Sequence, residues 1–170
     1  MIKLKLVAIV MLFAMYGCRS ENKQENNKTE QKDISQLFEQ YWEERLKLFP
    51  LEATQQGDNR YNAVLVNDQT TTFRDSLAAF YQRYLDESSK FNRDQLAEND
   101  RLSYDIFNYE MKMQIEGLKK KQWMIPFQQF WGLPLTMGQL GSGDSYQPFK
   151  TVEDYKNWLG RVDGFTVWVD

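Results

Sequence analysis

The residues able to do chemistry in this chain are carboxylates and guanidiniums: 170 residues hold 24 Asp and Glu, 21 Lys and Arg, one cysteine and no histidine. Histidine is the usual general base near neutrality and the usual ligand of catalytic zinc. A histidine-dependent hydrolase, Ser-His-Asp and Cys-His sites included, is therefore excluded for this chain by itself. Carboxylate chemistry, or none, is left. A two-carboxylate glycosidase needs its acids on a shared cleft about 5 to 10 Å apart. The nearest candidates, Asp105 and Glu110, fall on one predicted helix at a spacing that points them to different faces. No catalytic residue and no metal ligand is assigned.

Two clusters are candidates for substrate contact. Asp58, Arg60 and Tyr61 place an acid, a guanidinium and a phenol beside one another after Gly57, and could bind a peptide terminus in a cleft; alternatively, Arg60 bridges to a carboxylate and pins the corner between helices. Gln128, Gln129 and Trp131 offer amide donors and an indole in an apolar stretch, which could line a substrate groove or lock the loop to the helices. Gly141-Ser142-Gly143-Asp144 has the composition of an anion nest but lacks a phosphate-loop lysine pattern, and it is read as a turn with no ligand.

The elements that must position these residues read as helices. Asp33-Ile34-Ser35-Gln36 has capping-box spacing, and Ile34, Leu37, Phe38, Tyr41, Trp42 and Leu46 form one stripe to about Leu48. Pro50 stops that helix or starts a new turn. A second helix begins near Thr72, with Phe73, Leu77, Phe80, Tyr84 and Leu85 on its apolar face and Ser88 and Ser89 loosening its end. A third runs from about Asp94 to Lys120, with a face (Leu102, Ile106, Tyr109, Met113, widened by Tyr104, Phe107, Met111, Ile115 and Leu118) broad enough to be covered on two sides; Lys119, Lys120 and Lys121 suit its carboxyl end. Trp123 to Lys150 reads as a long apolar loop rich in proline, glycine and aromatic residues, of a length that tends to be functional. Thr151-Val152-Glu153-Asp154 caps a last helix, whose Trp158, Val162, Phe165 and Trp168 are expected to form an exposed apolar face, the chain ending in mid-pattern. Strand-favouring alternation is scarce. The fold class is mainly α: antiparallel helices with one long Pro/Gly/aromatic loop.

The amino terminus reads as export machinery. Lys3 and Lys5 precede an uncharged run, Leu6 to Tyr16, too short for a permanent span of about 20 residues. Met15-Tyr16-Gly17 before Cys18 resembles the lipobox of bacterial lipoproteins, which implies cleavage and lipidation at Cys18, a membrane partner through that lipid, and a place in the cell envelope facing periplasm or exterior. Arg19 to Lys32 holds no apolar residue and is expected to be a disordered tether of about 20 Å root-mean-square span. The expected organisation is signal peptide 1–18, tether 19–32 and helical region 33–170. Beyond the signal the charge is about −5, which discourages nucleic-acid binding.

Four landmarks then carry a resemblance: Phe49 to Thr54 with Gly57 to Tyr61; Asn99 to Asp105; Ile125 to Gly132; and Asp154 to Val162. In order, they resemble a bacterial family of secreted or lipid-anchored proteins, domain of unknown function 885, over about residues 34–170. The resemblance implies a mostly helical, zinc-peptidase-like architecture whose full members bear an H-E-x-x-H helix; no such helix occurs here, so no cofactor is expected in this chain and zinc only in a full-length parent, with peptide as its possible substrate. The expected role is the amino-terminal, channel-walling scaffold of an incomplete domain of that kind. The alternative is a self-contained envelope lipoprotein that binds peptides or glycans through its aromatic loop.

Overall fold

The computed structural model describes residues 33–170; the signal segment, Cys18 and the tether lie outside the described residues. Six α-helices and three short 3₁₀ turns are joined without a strand among the described residues, and none of these helices is long and apolar enough to cross a membrane. The mainly helical expectation holds.

Helix α1 (Ile34–Leu48) starts where the Asp33 side chain accepts from the Ser35 amide at 3.0 Å, and it buries Ile34, Leu37, Tyr41 and Leu46. Phe49 breaks it with φ −125° and ψ 67°. Pro50 then opens α2 (Pro50–Gln55) at the one position where a missing N–H costs nothing. Gly57, at φ +85°, takes the left-handed conformation that releases the chain into the Asn59–Tyr61 turn.

Helices α3 (Thr71–Ser88) and α4 (Glu98–Leu118) pack antiparallel: Ser88 at the end of α3 bonds Asn108 in the middle of α4, and Arg74 near the start of α3 stacks on Trp123, just past the end of α4. The core shared by α1, α3 and α4 is aromatic. Tyr41 sits at its centre, with ring centroids 5.3 Å from Phe80, 5.1 Å from Tyr84 and 5.0 Å from Phe107. Such pairs contribute about 0.5–1.5 kcal/mol each beyond the area they bury. Burial pushes the Tyr41 and Tyr84 phenols up to about 12, so both stay neutral at physiological pH.

Several boundaries differ from the sequence reading. The cap of α3 is Thr70, whose Oγ1 accepts from Phe73, because its spacing to that amide closes the first turn two residues earlier than Thr72 would. Ser88 does not loosen the end of α3; it is fully buried and its hydroxyl is held by Leu85 O and Asn108 Oδ1. Residues 93–95 form a separate 3₁₀ turn capped by Asn92, so α4 starts only at Glu98. Nor is α4 covered on two sides: Phe107 and Met111 face α1 and α3, while Leu102, Ile106, Tyr109 and Met113 are exposed.

The stretch 123–150 is not all loop. It contains α5 (Leu133–Gly141), begun by Pro134 in its first turn and burying Met137 and Leu140. Its proline and glycines look like breakers, yet a proline in the first turn is compatible with a helix.

Helix α6 (Val152–Val169) has the expected reciprocal cap, Thr151 Oγ1 accepting from the Asp154 amide at 3.2 Å and Asp154 Oδ2 from the Thr151 amide at 2.8 Å. Its face is turned the other way from the expectation: Trp168 is buried, and Trp158, Val162 and Phe165 are half-buried, while Tyr155, Leu159 and Val167 are exposed. Gly160 and Gly164, one turn apart, explain the rotation. A Cβ at Gly160 would stand 2.8 Å from Ala63 O, and one at Gly164 3.0 Å from Leu65 Cβ, so these glycines let α6 lie directly on segment 63–68. Asn67 Nδ2 donating to Val167 O and Trp168 Nε1 donating to Asp68 Oδ1 continue the same seam.

Gly160→Ala is expected to destabilise the fold by about 1–3 kcal/mol, since backbone has to move to admit the methyl group. Gly138→Ala, which adds a methyl group to open space in α5, is expected to be neutral or mildly stabilising. Urea unfolding of residues 33–170 reads both, and equal effects would remove the close-approach explanation.

Candidate functional site

The corner made by α2, the Gly57 turn and α6 is closed by one buried cation. Arg161, with no exposed surface, donates from Nε to Val64 O, from Nη1 to Gln147 Oε1, and from Nη2 to Pro50 O at 3.1 Å, Tyr61 O at 3.3 Å and Thr54 Oγ1. None of these acceptors is a carboxylate. Desolvation pushes the guanidinium down to about 10, which leaves it charged at neutral pH. Thr54 accepts from Arg161 and donates to Asn62 Oδ1 at 2.7 Å, and Asn62 Nδ2 donates to Asn59 Oδ1 at 2.8 Å, so the polar network runs through the turn itself. Its one loose end is Gln147 Nε2, buried without a partner among the described residues.

The first cluster expected from the sequence lies on the outside of this corner. Arg60 forms a double fork, from Nε and Nη2 to Asp58 and from Nη1 and Nη2 to Glu43, at 2.6–3.0 Å. The Arg60 hydrogen bonds hold both carboxyls below their ordinary values and raise the guanidinium still higher. Asp58 also caps the turn by accepting from the Arg60 amide, and the Tyr61 ring stacks 5.5 Å from the guanidinium carbon. The bridge from Arg60 to carboxylates that pins the corner is therefore present, with Asp58 and Glu43 as its acceptors. The second cluster divides. Gln129 is exposed and Gln128 half-buried, and Trp131, 68% exposed, is not packed into a core.

Trp131 stands instead at the mouth of a cleft of about 520 Å³. The cleft is walled by the end of α1, α2, segment 65–69, the start of α3, the end of α4 and the stretch 122–133. Phe73, Leu77, Leu118, Trp123, Trp131 and Trp168 make most of it apolar or aromatic, as ligand sites usually are. Its charged groups are Glu52, already bridged to Arg45 at 2.8 Å, and Asp68 and Arg74. Asp58, Arg60, Tyr61, Gln128 and Gln129 do not line it.

Sequence reasoning missed Arg74, Asp68 and Trp168 because partners 49 and 100 residues apart leave no local pattern. Arg161 had a signal, an arginine between two glycines one turn apart, which marks a charged side chain on the face where backbone approaches backbone.

The zinc implied by the family resemblance does not fit these residues. Among the described residues no three Asp, Glu, His or Cys converge as a metal-binding group. Glu43 and Asp58 are engaged by Arg60, Glu44 by Arg83, Glu52 by Arg45 and Asp105 by Arg93.

The family model for bacterial proteins of unknown function DUF885 matches residues 50–170. No curated protein and no solved structure matches the chain.

The Arg60 fork predicts an acid-side stability slope. Both carboxyls have folded values below their ordinary 4.5 and 3.8, so their contribution is complete above those values and is lost as pH falls through the lower, folded ones. In Arg60→Gln that part of the slope should flatten through a loss of stability at neutral pH that vanishes in acid, both small because the pair is exposed. Urea midpoints followed from neutral to acid pH measure it; an unchanged slope would mean the fork does not hold in solution.

Proposed function

This chain belongs to the DUF885 family of bacterial proteins, and from that premise we propose that residues 33–170 form a non-catalytic helical wall, presenting an aromatic cleft to peptide in a zinc-peptidase-like protein of the cell envelope. In this reading the mature protein is held at a membrane by lipid on Cys18, and the zinc chemistry that the resemblance implies belongs to residues other than 33–170.

The observation that carries this reading is the cleft of about 520 Å³ with Trp123, Trp131 and Trp168 in its lining. The ends of α1 and α4, the start of α3 and part of α2 wall it together with segments 65–69 and 122–133, and helices on several sides give a ligand a shaped groove. The uncovered stripe of Leu102, Ile106, Tyr109 and Met113 on α4 supports a wall's role, because an apolar face of that length on a soluble domain marks a contact surface.

Phe130 and Trp131, 79% and 68% exposed, favour a second reading in which these rings stack on sugars. Titration of the intrinsic tryptophan fluorescence separates the two. The peptide reading expects saturable binding of the tripeptide Leu-Leu-Phe, weakened about tenfold in Trp131→Ala, with the peptide recovered uncut. Saturation by N-acetylglucosamine oligomers without any response to peptide would transfer the site to glycans. Chelator-sensitive cleavage by the purified chain would overturn the non-catalytic wall.

A further inference from the structure

Arg74 is the feature of the cleft that the wall reading leaves unexplained. It lies in the first turn of α3, with its guanidinium carbon 3.9 Å from the centre of the Trp123 ring. Nη1 donates to Gln69 O at 2.6 Å and Nη2 to Thr71 Oγ1 at 3.0 Å. A guanidinium has five N–H donors. Two are used, and no carboxylate pairs with it among the described residues. Elsewhere Arg45, Arg60, Arg83 and Arg93 each close on an acid. Arg74 is therefore a cation oriented by an indole face and a backbone carbonyl, unneutralised, in the wall of an apolar cleft.

We infer that Arg74 receives the free C-terminal carboxylate of a short apolar peptide whose side chains occupy the aromatic cleft, the geometry being the Arg74–Trp123 stack beside Phe73, Leu77 and Trp131. The inference rests on the peptide reading above and names the end of the peptide that the cleft selects. A planar fork with Nε and one hydrogen on each terminal nitrogen still free suits a carboxylate, which accepts two parallel bonds. The stacking on Trp123 and the bond to Gln69 hold the fork before the ligand arrives, so less side-chain entropy is lost on binding. Asp68, the other charge of the cleft without an ionic partner, has Oδ1 held by Trp168 Nε1 at 2.7 Å and by Gln69 Nε2 at 2.9 Å. It repels a second carboxylate and favours a peptide whose amino end is free. An acidic peptide is thereby disfavoured and an apolar one with a single carboxylate preferred.

Calorimetric titration with Leu-Leu-Phe and with its C-terminal amide tests this on the unmodified protein. The acid should bind about tenfold or more tightly than the amide, the size of one lost charge-assisted interaction, and the two should become equal in Arg74→Gln. Arg74→Lys, which keeps the charge but loses the fork, should recover only part of the preference. Equal binding of acid and amide by the wild type overturns the inference and leaves the peptide cleft standing; a preference that survives in Arg74→Gln overturns the assignment to Arg74. No heat with either peptide removes both readings. If Arg74→Gln fails to fold, the wild-type comparison and Arg74→Lys still decide.

Discussion

A guanidinium removed from water without a counter-ion is the constraint on which the structure turns. Burying an unpaired charge costs several kcal/mol even after relaxation. Arg161 is tolerated because the chain brings five neutral oxygens to it from α2, the Asn59–Val64 turn and the Gln147 side chain. Two of those oxygens are shared acceptors: Pro50 O also accepts from Thr54 Oγ1 at 3.1 Å, and Tyr61 O from the Val64 amide at 2.9 Å. The arginine thus adds its donors to a corner whose backbone is already hydrogen-bonded, and ties α6 to it.

The position of everything around the cleft follows. Gly160 and Gly164 let α6 approach segment 63–68 closely enough for Arg161 to reach through it, and the same seam brings Trp168 to Asp68. On the other side, the aromatic core around Tyr41 locks α1, α3 and α4. The cleft lies where these two assemblies meet the stretch 122–133, and its walls borrow rigidity from both. Arg45 joins them directly: it bridges to Glu52 of α2, lies 4.5 Å over Phe49, and reaches the phenols of Tyr41 and Tyr81 at 3.4 Å.

Much of this was legible in the sequence, and the misses share a cause. Helices α1 and α6 were readable because their caps and apolar periods agree; Pro50 was readable because its φ is fixed, and Gly57 because glycine takes a positive φ without penalty. The sequence gives no sign of which apolar stripe finds a partner. On α4, Leu102-Ile106-Tyr109-Met113 and Phe107-Met111 are equally periodic, and only the facing Tyr41 and Tyr84 choose between them. On α6 the aromatic stripe points inward because Gly160 and Gly164 set the face of closest approach. The candidate site was half legible: Trp131 lines the cleft, while Asp58 and Arg60 form a strut. Its charged residues were invisible, since the pairs Arg74–Trp123 and Asp68–Trp168 exist only once the chain has folded.

The central claim is that Arg161 fastens α6, α2 and the 57–69 segment into one unit that is separable from the aromatic core. Native-state hydrogen exchange on Arg161→Met, resolved by segment, tests it most directly. The account predicts that amides of α6 and of residues 57–69 lose protection together, while those of α1, α3 and α4 facing Tyr41 stay slow. Uniform loss across all six helices, or protection of α6 unchanged from the wild type, would contradict it.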